Sequence, residues 1–335
     1  MATTRTTWQF HGQAEQTSVW RQALYSGMRS NRLLIKFFTG PLLLMILFTW
    51  FDISGILNTL FSIDALFVLL AIGIFVLQFA VSCARWMFIL RRQNIGVQRR
   101  AAVSIYGIGT LANLFLVTSI AGMSVRAALL VRTGAGVSGA LAPLAAERIA
   151  AIAGLALCGG AGLVFAMPQL QGELGTLPGS RLLALTATGL VFVIIATGLA
   201  HYKFAVLRIF FHQVWRAFSS SGAFLFLTAA SAGVVLLGFT GMAILAGGMG
   251  LDINPVFFIS VMPVIALVSA LPISIGGWGV REGAMVAGLA MFSIPAEAAL
   301  ALSISYGLAG VFVAVLLGTA SAMMGEDSPV KTRRS

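Results

Sequence analysis

Arg126 and Arg281 are the residues of this chain best placed to do chemistry. Each is a planar, permanently charged donor fork suited to a phosphate, and each stands in an otherwise apolar stretch. They hold equivalent places in a motif that occurs twice. Ser119-Ile-Ala-Gly-Met-Ser-Val-Arg126-Ala-Ala returns 155 residues later as Ser274-Ile-Gly-Gly-Trp-Gly-Val-Arg281-Glu-Gly, with five of ten positions identical. In the second copy Gly276, Gly277 and Gly279 permit a sharp turn, and Pro272 removes a backbone donor just ahead. A half-helix restarting at Val280 would turn free N–H groups and the positive end of its dipole toward an anion. The first copy has Gly122 as its only nearby glycine before Arg126.

Carboxylates stand near both arginines. Glu282 follows Arg281 directly, and Glu147-Arg148 is a charged pair in an apolar stretch. Neighbours on a helix point roughly 100° apart, so Glu147 and Arg148 should each find a partner elsewhere, with Arg126 the natural one for Glu147. Two readings follow. The arginines meet an anionic substrate group, or they pair internally with Glu147 and Glu282, and the two roles can alternate in a transport cycle. Glu147 and Glu282 are either gating, proton-titratable carboxylates or members of locking ion pairs.

These residues need a scaffold that holds charge at membrane depth. Hydrophobic residues make up 59% of the 335, charged residues 9%, and the mean hydropathy is +0.98. Repeated spans of roughly 20 apolar residues produce such a balance, and a soluble domain does not. The net charge of +11 lies at the ends of apolar runs. It therefore reads as topology and lipid-headgroup signal, with no nucleic-acid partner expected. Cys83 and Cys158 fall inside apolar segments, and His11, His201 and His212 have no ligand spacing. Neither a metal nor another cofactor is expected.

The apolar runs are 33–51, 65–90, 101–121, 141–167, 182–202, 222–248, 255–275, 284–292 and 298–323. Basic residues cluster in the N-terminal arm, 85–100, 201–216 and the tail, whereas 52–64, 168–181, 249–254 and 293–297 carry acids and a single base, Arg181. All basic segments face the cytoplasm if 101–140 and 255–292 are re-entrant hairpins entering from opposite faces. The expected fold is thus an all-α polytopic membrane protein with about six full spans plus two re-entrant hairpins, eight or more helices in all. Both termini are cytoplasmic. The expected divisions are a 1–32 arm, a first repeat 33–167, an outer loop 168–181, a second, inverted repeat 182–323, and a tail 324–335. Broken helices of this kind must line a wet cavity or lie buried in protein. Arg85-Trp86 reads as a boundary anchor, and Lys203–Arg216 as a cationic, aromatic stretch able to lie along an anionic leaflet.

Three segments resemble the lysylphosphatidylglycerol synthase/flippase transmembrane-region family. Leu271-Pro272 through Gly276, Gly277, Gly279, Arg281, Glu282 and Gly283 looks like its Pro–Gly-Gly–Gly–Arg-Glu signature. Arg85-Trp86 looks like its Arg-Trp after the second span. Asn113 through Arg126, followed by Glu147-Arg148, is similar to its first-half pattern, although Val117-Thr118 and Ala121 stand where a proline and a glycine are usual. The resemblance covers nearly all of 33–323 and implies lipid handling in a bacterial inner membrane, without the aminoacyl-transferase domain of fused members.

The favoured function is a flippase moving a phospho- or glycolipid between leaflets, not an enzyme. Its substrate-binding or gating set is Arg126, Arg281, Glu282, Glu147, Arg148, Gly276, Gly277, Gly279 and Asn113, with no catalytic residue. Its partners would be lipids with anionic headgroups, and either a second copy or a lipid-synthesis enzyme. The alternatives are a membrane-embedded transferase on a lipid carrier, or a partner subunit of a lipid- or envelope-synthesis enzyme. The isolated acids Asp52, Asp64, Asp252 and Glu297 form no paired motif that would favour the transferase.

Overall fold

The computed structural model describes residues 53–115, 121–174, 205–269 and 278–326. All regular structure among them is helical: α1 Ile53–Phe61, α2 Ala65–Arg92, α3 Arg99–Phe115, α4 Ala121–Arg132, α5 Val137–Leu174, α6 Ala205–Arg216, α7 Ser221–Gly248, α8 Pro255–Ser260, α9 Met262–Ser269, α10 Val280–Ala290 and α11 Ala296–Glu326. The arm 1–32 and the apolar runs 33–51 and 182–202 lie outside the described residues, as do Gly276 and Gly277.

Four helices are long and apolar enough to cross a membrane, at 65–92, 137–162, 221–248 and 296–324. Four of the runs expected to span fall on them. At 1.5 Å per residue, the 28 residues of α2 and of α7 each reach about 42 Å, beyond a hydrocarbon core of about 30 Å. Both begin on a side-chain cap. Asp64 accepts from the Leu66 N–H at 2.8 Å and Ser220 from the Ala223 N–H at 3.2 Å, satisfying donors the helix start leaves orphaned. The exposed flanks of α2, α7 and α11 carry large apolar side chains, among them Leu66, Leu69, Leu225, Leu236, Leu308 and Phe312. That distribution suits lipid as the surrounding solvent.

Helices meet through small residues, as expected where lipid supplies no hydrophobic drive to associate. On α7, Gly238, Gly241 and Gly248 receive Gln78, Phe75 and Phe67 of α2. Leu111 of α3 packs on Gly318 of α11, and the Ile259 carbonyl of α8 lies against Gly162 of α5. The neighbours are paired reciprocally: α2 with α7, α3 with α11, and α8 and α9 with α5. α6 packs on α5, burying Val214 and leaving Trp215 exposed.

The two motif copies begin their helices at different points. α10 starts at Val280, after Gly279 at φ 84°, a conformation that penalises any side chain. In the first copy α4 already runs from Ala121, one turn earlier in the motif register. Ala121, Met123 and Ser124 stand where the second copy has Gly276, Trp278 and Gly279. With fewer glycines to break it, that backbone stays helical through Arg126.

Candidate functional site

Arg126 sits on α4 among α2, α3 and α5. Its Nη1 donates to Glu147 Oε2 at 2.7 Å, while Nη2 of Arg85 reaches Glu147 Oε1 at 3.3 Å. Arg85 also donates from Nη1 to Ser231 Oγ on α7 at 2.8 Å, and that hydroxyl donates to the Leu227 carbonyl. Arg85, Arg126 and Glu147 are 5%, 8% and 7% exposed. One carboxylate thus serves two guanidinium groups. The Nε atoms of both arginines have no hydrogen-bond partner among the described residues. The Arg126 guanidinium lies 5.0 Å from the Trp86 ring and 5.1 Å from that of Tyr106, so two aromatic faces supply part of the stabilisation a dry cation needs. Gly109 makes room for the arginine stem: a Cβ there would lie 2.4 Å from Arg126 Cγ.

Arg281 is held by a matching cage. Its guanidinium lies 4.7 Å from the Trp278 ring and 5.7 Å from that of Tyr306. It pairs with Glu282, and its Nε also lies 3.2 Å from Ser303 Oγ. Adjacent residues rarely pair on a helix, but here they occupy its first turn. Glu282 Oε2 accepts from the Gly279 N–H at 2.6 Å, which draws the carboxylate back over the helix start. Glu282 is fully buried, and Ser303 Oγ donates to its Oε1. The anion at this helix N-terminus is therefore the chain's own. Gly307 clears space for Arg281 as Gly109 does for Arg126.

A cavity of about 650 Å³ lies between the cages, bounded by α2, α3, α7, α10 and α11. Tyr106 and Tyr306 each belong to a cage and to the cavity wall, stacked edge-on against Phe79 and Phe75 of α2. Arg281 itself lines the cavity.

The structure brings Arg126 with Glu147, and Arg281 with Glu282 and Gly279. Asn113, at the end of α3, lines the cavity and accepts the Gly122 N–H at 2.8 Å through Oδ1. Arg148 is exposed, with its Nε against Met123 Sδ of α4, and belongs to neither cage. Arg85 and Trp86 are not boundary anchors, since both are buried and built into the first cage. Sequence reasoning also missed Ser231, Tyr106, Trp278, Tyr306 and Ser303. The Trp within the second motif copy was the one available signal.

Buried charges, long apolar helices and a cavity between them define a multi-pass helical membrane protein with a polar interior. The chain matches the family described as Lysylphosphatidylglycerol synthase TM region over residues 33–318, and it belongs to that family. Membership ties it to membrane lipids. No protein of curated function and no solved structure matches the chain.

Proposed function

We propose that this protein is a flippase or related transporter, not an enzyme, that moves a phosphate-bearing lipid between leaflets of a bacterial inner membrane. The observation that carries the reading is Arg281 on the wall of the cavity. Among the described residues its guanidinium pairs with the adjacent carboxylate and Ser303, and it lies on the wall that a headgroup would meet. A lipid phosphate can replace Glu282 as its partner, bidentately, and Glu282 keeps the Gly279 N–H and Ser303 hydroxyl in the meantime. Arg126, sealed behind Tyr106, is the counterpart site. The reciprocal pairing of α3 with α11 and of α8 and α9 with α5 supports two related halves, and the distribution of basic and acidic segments along the sequence supports their inversion, with oppositely entering hairpins and both termini in the cytoplasm.

The test is a leaflet-sidedness assay in proteoliposomes containing fluorescent phospholipids, read by dithionite quenching. Loss of one charge-assisted bidentate contact, at about 1.5–3 kcal/mol, predicts a roughly tenfold or greater fall in rate for Arg281→Gln. An unchanged rate removes Arg281 from the mechanism.

A further inference from the structure

We propose that Arg85 is a positioning residue for lipid transport: it keeps Glu147 neutralised and in place while Arg126 leaves that carboxylate for a lipid phosphate. This rests on the reading above that Arg126 is the counterpart phosphate site.

The two guanidinium groups on Glu147 are not equivalent. Arg85 is held on two sides, from Nη2 by Glu147 Oε1 of α5 and from Nη1 by Ser231 Oγ of α7. Ser231 is fixed in turn, donating to the Leu227 carbonyl at 2.6 Å. Two turns earlier on α2, Gln78 donates to the Val234 carbonyl of α7 at 2.8 Å, so the seam beside Arg85 is fastened at a second level. Among the described residues Arg126 has Glu147 Oε2 as its hydrogen-bond partner, and otherwise the faces of Trp86 and Tyr106. Tyr106 is also cavity wall. Releasing Arg126 therefore breaks one bond to oxygen, next to the cavity. Releasing Arg85 breaks two, on two helices.

The charge balance explains the second guanidinium. Two arginines and one carboxylate make a buried set of net charge +1. When a singly charged phosphate takes Arg126, Arg85 and Glu147 remain as a neutral pair. Without Arg85, the same step would strand a carboxylate in a site where Glu147 is 7% exposed, and an uncompensated buried charge is strongly unfavourable. The second cage solves this with neutral donors. Glu282 lies at a helix start, where the Gly279 N–H and the Ser303 hydroxyl hold it. Glu147 stands well inside α5, where backbone N–H groups are spent within the helix. Arg85 supplies what the helix start supplies to Glu282.

Transfer of NBD-phosphatidylglycerol between leaflets of phosphatidylcholine vesicles tests this with the full chain, alongside thermal unfolding of each variant in detergent. Arg85→Gln should slow transfer roughly tenfold or more, because Glu147 then has Arg126 as its one counter-charge. Its unfolding midpoint should stay close to the parent's, since Glu147 and Arg126 remain a balanced pair. Arg85→Lys keeps the charge and should transfer faster than Arg85→Gln. In Arg85→Gln/Glu147→Gln no carboxylate is left to hold Arg126 or to be stranded, so transfer should recover to within about threefold of the parent. A double variant no faster than Arg85→Gln overturns the proposal. So does Arg85→Gln at the parent's rate, a lysine variant no faster than the glutamine one, or a midpoint that falls in step with the rate, which would make Arg85 a packing residue. If Arg126→Gln transfers like the parent, it is the underlying reading of Arg126 as a phosphate site that fails.

Discussion

Glu147→Gln is the most direct probe of the buried triad. The substitution keeps the side chain's shape and one acceptor oxygen, and removes its charge. Arg85, Arg126 and Glu147 together carry a net charge of +1, two guanidinium groups against one carboxylate. The variant raises this to +2 at a place where each residue is less than a tenth exposed. Unit charges about 4 Å apart attract by about 4 kcal/mol at an effective dielectric of about 20. In the native protein that attraction offsets the cost of taking the ions out of water. Without the carboxylate the cost of burying both guanidinium groups remains, and removing one partner of a buried pair costs about 3–5 kcal/mol. The surviving amide hydrogen bond returns about 1 kcal/mol. The expected loss is therefore about 2–4 kcal/mol, measured by reversible unfolding of the purified protein in mixed micelles. The companion variant Glu147→Gln/Arg126→Gln restores the net charge of +1. It should be destabilised by clearly less than the sum of the two single changes. Strict additivity of the two singles would refute the reasoning, because it would mean that the groups do not share a dry site.

Three further outcomes follow from close approaches in the structure. Gly307→Ala places a Cβ 2.4 Å from Arg281 Nη2, the far end of a flexible side chain. The arginine should swing off Tyr306, so that lipid transport falls severalfold while the unfolding free energy stays within about 1 kcal/mol of the parent; a loss of fold instead would show that the arginine cannot yield. Gly162→Ala directs a Cβ to 1.7 Å from the Ile259 carbonyl oxygen, where only backbone can move. Overpacking of this kind costs about 1–3 kcal/mol or more, and an unaltered unfolding midpoint would contradict the seam between α5 and α8. Gly283→Ala meets nothing within 4 Å on α10. It should be tolerated and gain up to about 1 kcal/mol from helix propensity, visible as a raised midpoint.

Some of the site was legible before any tertiary structure. Glu147 and Arg126 are close in sequence, and two charges in an apolar neighbourhood must find each other or something equivalent. The break before Arg281 was legible from its glycines, because Gly279 takes a backbone conformation that other residues resist. The first copy was harder to read. It keeps Gly122 but has Ala121 and Ser124 where the second copy has Gly276 and Gly279, so its helix extends one turn further back. Arg148 was drawn in by adjacency to Glu147, yet the helical rotation between neighbours sends it outward.

The sequence by itself determined the membrane class, the four described spans and the identity of the two caged arginines. Hydropathy over a span's length is a local quantity, and an arginine at membrane depth announces itself by type. Only the tertiary structure decided that Arg85 shares Glu147 with Arg126 across a separation of 62 residues, and bonds Ser231 across 146. It alone gave Arg126 and Arg281 one Trp and one Tyr face each. Those contacts arise where α4 meets α2, α3 and α5, where α2 meets α5 and α7, and where α10 meets α11. A tyrosine or serine in an apolar run carries no mark of which helix it will face, since ordinary packing uses the same residues and the partner is chosen by how the helices fit.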